Sequence, residues 1–347
     1  MVANELLACL RAAVGHDLEY AEEPVRLGGG FYTANYRFSL RDAPVDWTGP
    51  MVLRLFPTHA PHGLDEWEVA VQTFAHDRGL PAPAVVLHDP DSTIEGRQWF
   101  VMELMPGSPA MEGLNARQLL GGLSRIVRDL PRQTAEVHLA LHDLDPAPLI
   151  DSFGESAIVA RWWTHIASRS GDARPHPLEP GVEWLKRNEP DPRSPLVLCH
   201  GDSWGGNILL DHGKVTGFID WTVATVAEPA LDVAFLSTAL TLAPVAMPRP
   251  IQRVAQRFGK RLADVYRSAY ESGSNADLSS VPYYEALRCL LELDGVVGYR
   301  IAAAQGLPFD GPRPTWDGIA DQMVTYFADR TGVQLAIPQA TAQGHER

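Results

Sequence analysis

The chain has 347 residues, 45% of them hydrophobic and 21% charged, enough for one large domain or two lobes around a sizeable core. Its 29 basic and 43 acidic residues leave a net charge of −14, which argues against a sequence-independent grip on nucleic acid. The same charge suits a cationic small ligand, or serves only solubility.

The elements follow in chain order. Leu6, Leu7, Leu10 and Val14 fall at helical spacing, and the start "MVANELLACLRAAVG", with an early acid and no basic flank before its apolar residues, does not read as a secretory signal. "VRLGGGFYTANYRFSL" reads as strand, glycine turn and strand, and "MVLRLF" as a third strand. "GLDEWEVAVQTFAHDRG" is a predicted helix closed by Gly79. "AVVLHD" and "QWFVMELMPG" are two further strands, the second running into a Pro-Gly turn. From about residue 112 the period becomes helical, interrupted by a β island in which "LLDHGKVTGFI" predicts a hairpin turning at His212-Gly213. The apolar run from Ala230 to Met247 contains Asp232 and Pro244, so it is expected to be a buried helix and not a membrane span. Cys9, Cys199 and Cys289 do not make a disulfide framework. The expectation is a cytoplasmic chain with no membrane and no nucleic-acid partner. It would comprise a β-rich lobe over 1–105, a helical lobe over 106–335 and a frayed tail over 336–347.

The chemistry concentrates in "LCHGDSWGGNILL" and "GFIDW". Phosphoryl transfer from a nucleotide needs a base for the attacking hydroxyl, ligands for Mg²⁺, a cation for the phosphates and a cover over them. Protein kinases space their base and metal ligand as H-R-D-x-x-x-x-N. His200, Gly201, Asp202 and Asn207 keep that spacing. The predicted hairpin turns the chain back, so Asp220 can approach Asn207. An amide oxygen and a carboxylate oxygen are hard ligands suited to Mg²⁺.

Together, "HGDSWGGNILL" and "GFIDWTVATVAEPALDVAFL" closely resemble the aminoglycoside phosphotransferase family of small-molecule kinases. The resemblance follows element order from about residue 20 to 300. It implies an α+β, two-lobe protein-kinase-like fold, with ATP (or GTP) and Mg²⁺ as cofactors. Carried over residue by residue, it makes Asp202 the catalytic base and Asn207 and Asp220 the metal ligands. It puts the phosphate cover at the Gly28–Thr33 turn, with Gly29 and Gly30 at its centre. It places Arg54 where the family usually has a lysine, paired with Glu68 or, as second choice, Glu66. Arginine and lysine are not interchangeable there. The adenine would meet the backbone of a hinge residue among Glu103, Leu104 and Met105. Asp232 in "EPALD" would be mainly structural, a cap and anchor for the loop. Glu292 and Asp294 fall where the family's late helices face the acceptor.

Each residue also has a plainer role open to it. Asp202 could cap a turn, Arg54 could face solvent, and Glu292 and Asp294 could lie on a solvated helix face. Trp162, Trp163, Trp184 and Trp221 could stack on a ring-bearing substrate, although tryptophan more often packs in a core. A metal-hydrolase reading of His200 and Asp202 would want more histidine ligands nearby. The resemblance implies an ATP-dependent kinase acting on a small-molecule hydroxyl. Aminoglycosides or other antibiotics, macrolides, sugars, amino alcohols and hydroxyacyl metabolites are all acceptors in such relatives. The alternative is a non-catalytic nucleotide- or ligand-binding module that kept the fold, a reading favoured only by Arg54.

Overall fold

The computed structural model describes residues 1–15, 17–28, 33–110, 116–158, 176–242, 249–309 and 314–340, with side chains undescribed at 46, 116–128, 155 and 249–251. It is α+β and divides into two compact units: 1–113 with 205–224, and 114–204 with 225–347.

The first unit is built on a five-stranded antiparallel sheet of order β1-β2-β3-β5-β4. Its strands are β1 (Glu19–Arg26), β2 (Ala34–Arg41), β3 (Met51–Leu55), β4 (Val85–His88) and β5 (Trp99–Glu103). β3 is central, and all five of its residues are buried. Its alternation sends Met51, Leu53 and Leu55 into one cluster with Phe38, Trp99 and Val101. Leu6 and Leu10 of helix α1 (Val2–Val14) complete that cluster. Val52 joins Phe56, Phe100 and Met102 in a second cluster. Each such side chain contributes roughly 1.5–3 kcal/mol by leaving water. Arg54 has the parity of Val52 and Phe56, so β3 carries a charge into a face that is otherwise apolar. Helix α2 (Leu64–His76) starts after Gly63, whose φ of 80° is left-handed.

A hairpin from the second half of the chain belongs to this first unit. β8 (Ile208–Asp211) pairs with β9 (Lys214–Phe218), and the short β6 (Ser108–Pro109) pairs with β8. His212 and Gly213 have φ of 48° and 80°, so both residues of the turn are left-handed. That is the arrangement a two-residue type I′ hairpin turn requires.

The second unit is mainly helical. It holds α3 (Ala116–His142), α4 (Ala147–Phe153), α5 (Glu179–Asn188), α6 (Ala230–Leu242), α7 (Arg249–Gly273), α8 (Val281–Gln305) and α9 (Ala320–Thr331). Between α5 and α6 the strands β7 (Val197–Cys199) and β10 (Thr225–Ala227) pair antiparallel, with Leu198 opposite Val226. α6 is apolar on every side, as a helix in the middle of a core must be. Leu231 and Phe235 on α6, Tyr266 on α7, Leu287 and Leu290 on α8 and Phe327 on α9 share one cluster. No described helix is long and apolar enough to cross a membrane. Of the predicted tail, residues 341–347 lie outside the described residues.

Candidate active site

In the first unit, three elements bring four polar side chains together. Arg54 on β3 is 3% exposed and Glu68 on α2 is fully buried. Arg54 Nε lies 2.9 Å from Glu68 Oε1 as an ion pair. Arg54 Nη2 donates to Asp220 Oδ1 at 2.6 Å and to Thr222 Oγ1 at 2.6 Å. The Thr222 hydroxyl lies 3.0 Å from Glu68 Oε2 and 2.8 Å from Asp220 Oδ1, and its single proton serves one of them. Burial works against the Arg54 charge, but Glu68 and Asp220 outweigh it and raise its pKa. Burial also raises the Glu68 carboxyl, with Arg54 pulling it back. Glu66, the second choice of partner, points to solvent.

The hairpin sets the next pair. Asn207 precedes β8 and Asp220 follows β9 by two residues. Ile219 N–H donates to the Asn207 carbonyl at 2.9 Å, which closes the open end of the hairpin and puts Asp220 one residue from Asn207's partner. Asn207 is 8% exposed, while the Asp220 side chain is 38% exposed. Asp220 sits at φ 65°, a left-handed position rare for a residue other than glycine. Such strain is found where the surroundings over-determine a side chain's direction. This donor set, an amide oxygen beside a carboxylate, fits Mg²⁺.

In the second unit, Asp202 follows β7 on a loop that Asp232 holds. Asp232, at the start of α6, is fully buried. Its Oδ2 accepts from His200 N–H at 2.8 Å and its Oδ1 from Gly201 N–H at 2.7 Å. His142 Nε2 is 3.2 Å from the same Oδ2. His142 Nδ1 meets Tyr270 hydroxyl at 2.7 Å, and His138 Nδ1 meets Tyr266 hydroxyl at 2.5 Å. Burial works to raise the Asp232 carboxyl, but His138, His142 and His200 prevail and hold it below the ordinary carboxylate range. Burial pushes His138 down to about 3, so it is neutral near pH 7. His200 Nδ1 accepts from Asp202 N–H at 3.2 Å, which assigns the ring proton to Nε2 and gives the histidine a scaffolding place in the loop.

Asp202 itself meets a cation. Arg288 on α8 donates from Nη2 to Asp202 Oδ1 at 2.7 Å and from Nη1 to Gly201 carbonyl at 3.3 Å. Arg288 Nη2 also lies 2.7 Å from Glu292 Oε1, one helical turn along. The guanidinium sits 5.1 Å from the Phe235 ring centroid and 5.7 Å from that of Trp316. Burial raises the Glu292 carboxyl and Arg288 lowers it. Asp294 Oδ1 is 4.0 Å from His176 Nε2.

At the expected hinge, Glu103 N–H donates to Ala84 carbonyl at 2.9 Å and Leu104 N–H to Pro50 carbonyl at 3.1 Å. Glu103 Oε1 accepts from Ala84 N–H at 3.0 Å, so the Glu103 side chain holds the strand. Met105 is half-buried. Trp221 is 1% exposed and donates to Phe218 carbonyl, and Trp184 stacks on Tyr283, so both pack within their units. Gly29, Gly30, Trp162 and Trp163 lie outside the described residues.

Sequence reasoning missed two residues of these clusters. Thr222 carries no chemical signal of its own, although it stands two residues past Asp220. Arg288 had a signal: an arginine inside the apolar helical stretch "YYEALRCLL", with Glu292 four residues on, must be buried and paired.

The sequence profile of the phosphotransferase enzyme family matches residues 24–271. An aminoglycoside 3'-phosphotransferase from Streptomyces fradiae is 29% identical over 207 residues, covering 56% of this chain and 72% of the relative. The acyl-CoA dehydrogenase family member 11 of Homo sapiens is 29% identical over 186 residues, covering 51% of this chain but 23% of that much longer protein. Among solved structures, a candidate aminoglycoside phosphotransferase from Ralstonia eutropha superposes with TM-score 0.64 at 15% identity, covering 95% of this chain and 98% of the other. A macrolide 2'-phosphotransferase from Brachybacterium faecium gives TM-score 0.55 at 18% identity, covering 98% of this chain and 99% of the other. At those identities the structures share the kinase-like fold.

Proposed function

This chain belongs to the phosphotransferase enzyme family, and from that membership we propose that it moves the γ-phosphate of ATP or GTP onto a hydroxyl of a small molecule. The observation that carries the reading is the buried Arg54–Glu68–Asp220–Thr222 cluster beside Asn207. A non-catalytic core has no use for a fully buried cation that reaches out to a partly exposed, left-handed aspartate.

In this reading Asn207 and Asp220 hold Mg²⁺, which when bound offsets charge on the phosphates. Arg54, fixed by Glu68, would face the α and β phosphates, and the glycine-rich sequence between Gly28 and Thr33, whose residues 29–32 lie outside the described residues, would supply the cover. With the Glu103 and Leu104 amides engaged in the sheet, Met105 is the hinge position for the adenine. Asp202 orients the acceptor hydroxyl and takes its proton as the new O–P bond forms. The bond from the γ-phosphorus to the bridging oxygen breaks, and the nucleoside diphosphate keeps that electron pair. Positioning and electrostatics supply most of the rate.

The relatives' names place the acceptor in no single class. A panel of aminoglycosides, spectinomycin, macrolides and hydroxyacyl thioesters, with ATP or GTP and Mg²⁺ and a coupled diphosphate assay, tests the reading. Turnover on one acceptor is expected. Asp202→Ala should lower it by about 10²–10⁴-fold while leaving the nucleotide-induced rise in melting temperature intact. Absence of turnover on every acceptor, with no nucleotide-induced rise, would refute both the enzyme and a nucleotide-binding module.

A further inference from the structure

Arg288 is a buried cation that the reaction above leaves unused. The residue is 7% exposed, and its guanidinium makes three polar contacts at one point of the fold. They are Asp202 Oδ1 and Glu292 Oε1, both at 2.7 Å, and the Gly201 carbonyl at 3.3 Å. Phe235 and Trp316 lie on its flanks and keep water from it. A solvated helix face would put such an arginine in water, and a purely structural pair would need one carboxylate. Here the same group fixes both the side chain of Asp202 and the carbonyl just before it.

We propose that Arg288 is the positioning residue for Asp202: it locks the carboxylate of the base in one rotamer, and Glu292 balances its charge instead of contacting the acceptor. The inference rests on the reading of Asp202 as base. Its chemical content is that Asp202 works as a weak, rigid base. A carboxylate held by a guanidinium resists protonation, so it takes the acceptor's proton only once O–P bonding has acidified it. The loose character of phosphoryl transfer permits that late transfer. Among the described residues of its own unit, the groups near Asp202 include His200 beside it, Arg288 and Glu292 on α8, and Asp232 behind the loop. Arg288 offers the carboxylate a full charge of opposite sign, whereas His200 accepts from the Asp202 amide.

The test uses Arg288→Met and Arg288→Lys, each in the native and in the Asp202→Asn background. With a turned-over acceptor, Arg288→Met should lower kcat by about 10²-fold and leave the KM for nucleotide within about twofold. Arg288→Lys should recover about tenfold of that loss, because one ammonium replaces part of the fork. In the Asp202→Asn background Arg288→Met should cost no more than about twofold, because its target is gone. Equal losses in both backgrounds would mean a structural role and overturn the proposal, as would full activity in Arg288→Met.

A second readout needs no acceptor. The Asp202 carboxyl, assigned by carbon-13 NMR against Asp202→Asn, should titrate about 1–3 units higher in Arg288→Met than in the native chain. An unchanged midpoint overturns the proposal whatever the turnover. A shifted midpoint in a chain that phosphorylates nothing overturns the kinase reading and keeps the clamp. If Arg288→Met does not fold, Arg288→Lys carries the same comparisons, with a kcat loss of about tenfold and a smaller titration shift.

Discussion

At position 54 the guanidinium spans two carboxylates, each met by a different nitrogen. Its Nε faces Glu68 and its Nη2 faces Asp220 and Thr222, two neighbouring nitrogens held in one rigid plane. The family's usual lysine gathers its three donors at one point on a flexible stem, so it would hold the two sides less firmly than the planar fork does. Glu68 is fully buried, and a buried carboxylate without its cation costs more than the lost hydrogen bond alone. Arg54→Lys is therefore expected to destabilise the chain by about 1.5–3 kcal/mol, read as a lower urea midpoint with unchanged slope. An unchanged midpoint would show that the pocket accepts either cation. The sequence raised the question of Arg54 but not its answer. It put Glu68 ahead of Glu66 as the partner, although both stand on one helix, and the ion pair is with Glu68. Burial separates them: Glu68 is buried and Glu66 exposed, which depends on how α2 packs in its unit.

At the scale of elements, the same substitution has opposite signs on two helices of the second unit. On α7, a Cβ added to Gly259 would lie 1.8 Å from the Leu240 carbonyl oxygen of α6. That atom is helix backbone, so α6 and α7 would have to separate. Gly259→Ala should cost at least about 1–3 kcal/mol by overpacking. On α8, a Cβ at Gly295 would meet nothing within 4 Å. Gly295→Ala removes the entropy cost of glycine in a helix and should stabilise by roughly 0.5–1 kcal/mol. Paired thermal melts decide both signs, and two changes in the same direction would contradict the interhelical spacing. Local patterns were the legible part of the fold. The hairpin at His212-Gly213, the buried helix after Ala230 and the sheet strands all follow from neighbours in sequence. Partnerships across distance were not legible: Thr222 with Glu68 and Arg288 with Asp202 join residues 154 and 86 positions apart.

For the whole molecule, acid sets two effects against each other. Lowering the pH from 7 to 5 reduces the −14 net charge, which relieves self-repulsion and favours the folded chain. Against this stands His138, buried on α3 and pushed by desolvation from its ordinary value down to about 3. The folded state keeps it neutral, while the unfolded chain protonates it below about pH 6.5. The unfolded state therefore binds more protons between about pH 6.5 and 3, and stability falls as pH drops through that window. From pH 7 to 5 this single histidine removes about 2 kcal/mol. Asp232, held below the carboxylate range, adds a loss of the same sign only below about pH 4. Surface repulsion is screened within ~8 Å at physiological salt and ~3 Å at 1 M, whereas the cost of charging a fully buried imidazole is not. The histidine should win. Urea unfolding in 1 M salt should show the native chain less stable at pH 5 than at pH 7, and His138→Asn should reduce that difference by about 2 kcal/mol. The variant starts from a lower stability at pH 7, since it loses the hydrogen bond to Tyr266, so the difference between the two pH values is the quantity that decides. Equal differences in the two proteins would mean that His138 charges within the fold, and that the network behind the Asp202 loop opens to admit its proton.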